Sequence, residues 1–513
     1  MNRLSFTSRW ILVWAVFVLC IASTFISYRT YAFHWDDAEY LWQSIGVSNA
    51  FWASSMHGTA RLHEILSAMH GIRPPAMTLL GLPWGPLSSW DAAGKCFVTL
   101  GSLVGIMAAL CLFLLARIGV KPLFFAAACI CVCASLGPWP PSSNVHGAAT
   151  SFLADSLFSW ITLAALLLIP YEARTSGDSV GHAAWRGFLW GLVLSAGAMT
   201  KISFLYFVVL IAPIILILRY RRAGERSLLL AVIGCVVSSA PAAFYLLRYG
   251  GSSFANGGTS SFGSIASLYK SSLLPFLERS LFDAPGLCLF VLILLASVVY
   301  CATRWRSVIL NPDFLAFAIV IGFGLIVLAS ANRQLRYAYP TIVSAPFLLA
   351  VLFSRDRAEV ARKPALAIAC LAALAFGLAA LPMRHRTERQ NTLSRADAVL
   401  NDAYRCNAHS IVLATDSPTL NGSLLLVAVA VSGKTDPMHV ESLGASVFNG
   451  SSIDKDHQAM QESDLIVFQD DKALNPPFTN IHVPDYRNYV ARQNQLFSAN
   501  VSDDVSVFSK HCR

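Results

Sequence analysis

The sequence predicts a mainly α-helical polytopic membrane protein that ends in a small α/β unit. Three observations predict it. The chain of 513 residues is 55% hydrophobic and only 13% charged, where a soluble globular domain carries about 25% charged residues. Apolar runs long enough to cross a hydrocarbon core of about 30 Å, which takes about 20 residues of helix, recur as far as residue 383. Beyond it the apolar runs shorten and alternate with helix-like stretches, a pattern of strands and helices in one compact unit.

Taken in order, the spans fall near 10–28, 96–116, 122–138, 151–170, 187–200, 203–219, 228–247, 286–303, 313–331, 338–354 and 365–382, about eleven in all. The pair 187–200 and 203–219 is short and tightly joined. The first run is too long for a signal h-region and no small-residue cleavage site follows it, so it reads as a retained anchor.

Orientation follows from Lys and Arg in the short connections. With the N-terminus in the cytoplasm, one side collects Arg3 and Arg9, Arg117 and Lys121, Arg174 and Arg186, Arg219, Arg221, Arg222 and Arg226, Arg304 and Arg306, and Arg355, Arg357, Arg362 and Lys363. The other side receives long loops near 29–95 and 248–285 and the tail 384–513. The organisation expected is a membrane module over 1–383 and an extracytoplasmic unit over 384–513. Positive-inside placement accounts for the formal charge of +9 without nucleic acid as a partner.

Most of the 12 cysteines sit inside apolar runs, where they act as small hydrophobes, and no spacing resembles a zinc set. Cys406 and Cys512 lie in the polar tail and could pair if it faces an oxidising compartment, although nothing in the sequence fixes their separation.

The outer segments carry pattern of their own. In AEYLWQSIGVSNAFW, Leu41, Ile45 and Trp52 fall near one helical face; TARLHEILSAMH offers Leu62, Ile65, Leu66 and Met69. Both read as amphipathic helices lying in the membrane interface. The Gly- and Ser-rich RYGGSSFANGGTSSFGS reads as a flexible element over a site. In the tail, HSIVLATD, SDLIVFQD and DVSVFSK read as strands, and SLLLVAVAVSG, too short to span, reads as buried core.

Ionisable groups beside a span are costly, so each is a candidate for function. Asp36 and Asp37 follow the first span. They serve either as a helix cap before AEYLW or as a general base or metal ligand, and one can cap while the other reacts. Asp155 is a lone acid opening the fourth span, fit for a bond to a neighbouring helix or for chemistry. Arg73 precedes Pro74 and Pro75 in a stiff cationic loop that suits a phosphate or lipid headgroups. Lys201 in GAMTKISF, and Arg333 and Arg336 in SANRQLRYAYP, are cations at outer junctions, where they either snorkel or hold something anionic.

The order of these motifs resembles the GT-C superfamily of membrane glycosyltransferases, in the branch of protein O-mannosyltransferases and aminoarabinose transferases. That branch opens with a span and an Asp-Glu-Ala-x-Tyr-like motif, to which Asp36, Asp37, Ala38 and Tyr40 correspond, with Asp37 in place of Glu. A Lys-Pro-Pro-Leu-like motif corresponds to Arg73, Pro74, Pro75 and Ala76, and an Asp opening a later span to Asp155. A Thr-Lys junction corresponds to Thr200 and Lys201, and an Arg-Tyr-x-x-Pro-like junction to Arg336, Tyr337 and Pro340. The likeness covers roughly residues 10–355. It implies a GT-C-like fold and a sugar donor built on polyprenyl phosphate. It also implies transfer on the extracytoplasmic side of a bacterial inner membrane, with inversion at the anomeric carbon. Asp36 is then the first choice for the base, Asp37 the second, and Asp155 assists or orients. Arg73, Lys201 and Arg336 face the donor phosphate. No metal is indicated by the residues; the resemblance leaves a divalent ion open, since some relatives use one and others do not. The acceptor is a lipid, a glycan or a protein.

The alternative from another class is a transporter or flippase of lipid-linked saccharides. Such a protein is expected to show internal repeats and charges near mid-span. No clear repeat is visible, and the charged candidates sit at outer helix ends.

Overall fold

The computed structural model describes residues 11, 14, 15, 18, 35–52, 58–69, 75–121, 125, 154–174, 180–249, 311–329, 335–355, 385–417, 420–432, 438–443, 452–469, 482–493, 497–502 and 504–510. The expected spans near 286–303 and 365–382, the Gly- and Ser-rich loop, Arg73, Arg333 and Cys512 lie outside the described residues, as does 122–138 apart from Phe125.

Among the described residues the membrane part contains helices α1 (Trp35–Trp52), α2 (Gly58–Met69), a 3-10 helix (Thr78–Trp84), α3 (Trp90–Ile118), α4 (Ala154–Arg174) and α5 (Val180–Thr200). A short 3-10 turn, Ile202–Phe204, leads into α6 (Leu205–Tyr249), followed by α7 (Pro312–Ala329) and α8 (Leu335–Arg355). Helix α3 is bounded by local chemistry. The Ser89 side chain accepts from the Ala92 amide at its start, and Gly119, at φ 83°, closes it just after Arg117. Among the described residues three helices, Trp90–Ile118, Ala154–Arg174 and Leu205–Arg248, are long and apolar enough to cross a membrane. Their burial separates their roles. The apolar window of α4 is 94% buried and forms the centre of the bundle, whereas that of α6 is 11% buried. Val209, Leu229, Val237, Phe244 and Leu247 of α6 are exposed accordingly, as side chains facing lipid tails are.

Helix α6 is twice the length of a single crossing. It breaks at Gly224, whose φ of 73° no helical residue adopts. The arm after the break lies against α5 at very short range. A β-carbon on Gly187 would meet Ala231 O at 1.7 Å, and one on Gly191 would meet Cys235 O at 2.3 Å. Glycines at these positions bring two backbones together, as small residues do in membrane helix pairs. The expected short span 187–200 is therefore the second part of a 21-residue helix, whose start is masked in the sequence by polar first turns.

One end of the bundle gathers charge. Arg174 Nη2 lies 2.6 Å from Asp313 Oδ2, and its Nη1 donates to Ile118 O at 2.8 Å. Glu172 Oε2 lies 3.7 Å from Arg186 Nη1 and 3.6 Å from Arg219 Nη1, while Trp190 Nε1 donates to Glu172 Oε1. The amide of Lys121 donates to Ser354 Oγ. Of the cations placed on one side from the sequence, Lys121, Arg174, Arg186 and Arg219 meet at this end. Glu172 and Asp313, which sequence reasoning did not single out, are their partners.

At the opposite end lies a five-stranded sheet, β1 (Ser410–Leu413), β2 (His439–Ser442), β3 (Leu465–Gln469), β4 (Phe497–Ser502) and β5 (Val505–Ser509), in the order β2-β1-β3-β5-β4. β1 is parallel to β2 and β3, and β5 is antiparallel to β3 and β4. Helices α9 (His385–Arg405) and α10 (Gly422–Val431) accompany one face, and α11 (Ile453–Glu462) and α12 (Val483–Ala491) the other. Alternation along the strands divides the core: Val412, Ile466 and Phe468 join Met460 and Tyr486 on one side. Ile411, Leu413, Leu465 and Val467 join Leu424, Leu425 and Ala428 on the other, in a cluster that continues into the membrane bundle. Cys406 is disulfide-bonded.

One expectation needs correction. The apolar stripe of α1 meets protein rather than lipid. Leu41 and Ile45 are fully buried, as are Ser44, Val47 and Ser48, because α1 packs against the 3-10 helix and against α10. Asp36 and Asp37 lie within the first described turn of this helix.

Candidate active site

The site is built where α4, α5 and the segment after Pro75 converge, at the end of the bundle nearest the sheet. Asp155 is the second residue of α4 and is 4% exposed. Lys201 follows α5 directly, and its Nζ donates to Asp155 Oδ1. The two residues stand 46 apart in sequence. The same ammonium lies 5.6 Å from the centroid of the Phe158 ring, which packs edge-on against Phe204, Phe207 and Phe323. An aromatic face attracts a cation and shields the ion pair from water on that side.

The backbone at the junction is fixed in several places. The Lys201 amide donates to Gly197 O at 3.0 Å, and the Phe204 amide to Lys201 O at 2.9 Å. Thr200 Oγ1 donates to Ala196 O at 2.7 Å. Gly197 is required here: a β-carbon on it would lie 2.4 Å from the Phe204 ring. The Gly and the Thr-Lys pair of GAMTKIS thus serve one packed turn.

The segment that begins at Pro75 reaches the same junction. The Ala76 amide donates to Met199 O at 2.9 Å. Pro75 O accepts from both the Thr78 amide, at 3.0 Å, and its hydroxyl, at 2.7 Å. Arg73 lies two residues before Pro75 and outside the described residues. α1 runs alongside this segment. Ser44 Oγ donates to Met77 O at 2.6 Å, and Ser48 Oγ to Gly85 O at 2.6 Å. The Leu87 amide donates to Asn49 Oδ1 at 2.8 Å. Asp36 and Asp37 occupy the first turn of this helix. Arg336 is in the first turn of α8, a helix whose other end carries Ser354 and meets Lys121. Of the candidates, the structure brings Asp155 and Lys201 into contact. It sets Asp36, Asp37 and Arg336 in first turns of helices.

Sequence reasoning missed Ser44, Ser48 and Asn49. Their signal was a set of small polar residues on one helical face, Ser48 and Asn49 standing four and five residues after Ser44.

No protein-family model matches the sequence, and no curated protein sequence matches it. Solved structures do match in fold. One is ArnT from Cupriavidus metallidurans bound to undecaprenyl phosphate, with a TM-score of 0.52 at 13% identity, covering 98% of this chain and 97% of that one. Another is the same ArnT in the apo state, with a TM-score of 0.53 at 14% identity, covering 99% and 98%.

The chain has the ArnT fold.

The match runs through the helical bundle and the sheet alike, since nearly all of each chain is covered. The GT-C-like architecture expected from five short motifs therefore agrees with a fold comparison that owes little to sequence identity. In the ArnT fold as this chain builds it, Asp155 and Lys201 form one ion pair, joined through Met199 to the segment that follows Arg73.

Proposed function

We propose that this protein is a membrane glycosyltransferase. It moves a sugar from a polyprenyl-phosphate donor to an acceptor on the extracytoplasmic side of a bacterial inner membrane, with inversion. The observation that carries the reading is the end-to-end ArnT fold, joined to the Asp155–Lys201 pair at the junction to which Ala76 is bonded. The ArnT structure holding undecaprenyl phosphate supports the donor class. The disulfide at Cys406 supports an oxidising compartment for the tail.

In this reading Asp36 takes the proton of an acceptor hydroxyl as its oxygen attacks the anomeric carbon. The bond from that carbon to the donor phosphate breaks, and polyprenyl phosphate departs with the electron pair. A phosphate leaving group needs cations rather than a proton donor. Arg73, Lys201 and Arg336 supply them. Asp155 holds the Lys201 ammonium in place, and Asp37 is the second carboxylate of the first turn.

The test is transfer by purified protein in proteoliposomes carrying a synthetic polyprenyl-phosphate sugar. Release of polyprenyl phosphate with glycosylation of an added acceptor is expected. Donor that crosses between leaflets with its glycosyl phosphate bond intact, and without transfer, would establish a flippase instead.

A further inference from the structure

We propose that Ser44 and Ser48 are positioning residues, which set the register between the Asp36-bearing helix and the segment from Ala76 to Leu87, which is bonded to the Lys201 junction. The proposal rests on the roles given above to Asp36 and Lys201. Both hydroxyls are fully buried. Ser44 Oγ donates to Met77 O, and Ser48 Oγ to Gly81 O at 3.1 Å as well as to Gly85 O. Asn49 receives the Leu87 amide, and Trp52 Nε1 donates to Leu82 O at 2.7 Å. One face of α1 thus satisfies, residue after residue, the backbone of a segment running from 77 to 87. That segment forms a 3-10 helix with Pro83 inside it. Side chains of α1 supply partners that regular backbone pairing leaves wanting.

The two ends of this strap matter for chemistry. At its start, the Ala76 amide is fixed to Met199 O, two residues before Lys201. That bond involves no side chain of α1. The segment is therefore tied to the Lys201 junction independently of α1, whereas Ser44 and Ser48 are the ties of α1 to its first part, between Met77 and Gly81, with Asn49 and Trp52 bonded further along. Removing the hydroxyls leaves the bond of the segment to the Lys201 junction intact and lets the helix bearing Asp36 shift against that junction. A base displaced by about 1 Å lowers turnover by up to about a hundredfold without weakening donor binding.

The experiment measures kcat and donor KM for Ser44→Ala, Ser48→Ala and the double variant of the full chain, with a synthetic polyprenyl-phosphate sugar. Hydrogen exchange over residues 76–87 is followed in parallel. Expected are a kcat at least about tenfold lower, a donor KM within about threefold of wild type, and faster exchange confined to the strap. Gly81→Ala provides an independent variant, because its β-carbon would lie 2.8 Å from Ser44 O and push the same segments apart. It should show the same split between kcat and KM. An unchanged kcat, or a raised KM at constant kcat, overturns the positioning role. Exchange at 76–87 that the variants leave untouched overturns the strap itself. Wild-type protein that transfers no sugar overturns the underlying reading of the site, a result separate from both.

Discussion

Lys201 and Asp155 form a pair whose two halves were legible and whose meeting was not. Each stood out as an ionisable group beside an apolar run. Nothing local joined a residue opening one helix to a residue closing the next. The pair decides what the ammonium can do: held by a carboxylate and backed by Phe158, it is fixed rather than snorkelling to headgroups. With Lys201 21% exposed and Asp155 6% exposed at the side chain, removing one partner leaves the other poorly solvated. Lys201→Met is expected to cost about 3 kcal/mol, near the lower end for breaking a buried pair. Thermal unfolding in detergent reads this, and Lys201→Met combined with Asp155→Asn should recover part of the loss. A double variant less stable than the sum of the two singles would show that the pair is not the unit that matters.

Among elements, spacing revealed existence better than surroundings. The strands read from HSIVLATD, SDLIVFQD and DVSVFSK correspond to β1, β3 and β5, because alternation and β-branched residues are local signals. α1 was recognisable as a helix, but its environment was not. An amphipathic pattern is the same whether the apolar stripe meets lipid or another helix, and here α10, nearly 400 residues later, covers it. The contact of α5 with α6 was equally hidden, since its glycines resemble any others in a span. It makes a sharp prediction. Gly187→Leu forces a side chain into Ala231 backbone and should destabilise the protein by about 1–3 kcal/mol or more. The same change at Gly46, where a β-carbon meets nothing within 4 Å, should cost far less. Equal melting temperatures for the two variants would contradict the close helix pair.

At the scale of the whole molecule, two ends with different chemistry emerge. One collects Arg174, Arg186 and Arg219 with Glu172 and Asp313. The other joins the Asp155–Lys201 pair, α1 and the sheet, with Trp90 Nε1 donating to Asp397 Oδ1 across the join at 3.1 Å. Charge bias in short connections had anticipated which residues share an end, since that bias acts on topology rather than on packing. It could not anticipate that the sheet shares a core with the bundle, which depends on α10 reaching α1. The orientation is testable directly. Alkaline phosphatase fused after Arg405 should be active in cells, and the same enzyme fused after Gly119 inactive; the opposite pattern would invert the topology.

The central claim is that Asp36, at the site-bearing end, activates the acceptor of a lipid-borne sugar. Its most direct measurement is the rate of sugar transfer by purified full-length wild type and Asp36→Asn from the same polyprenyl-phosphate donor. Binding of undecaprenyl phosphate is measured alongside. The account predicts a rate lower by at least about a hundredfold in Asp36→Asn, as loss of a general base entails, with binding retained. Transfer by Asp36→Asn at the wild-type rate would contradict it.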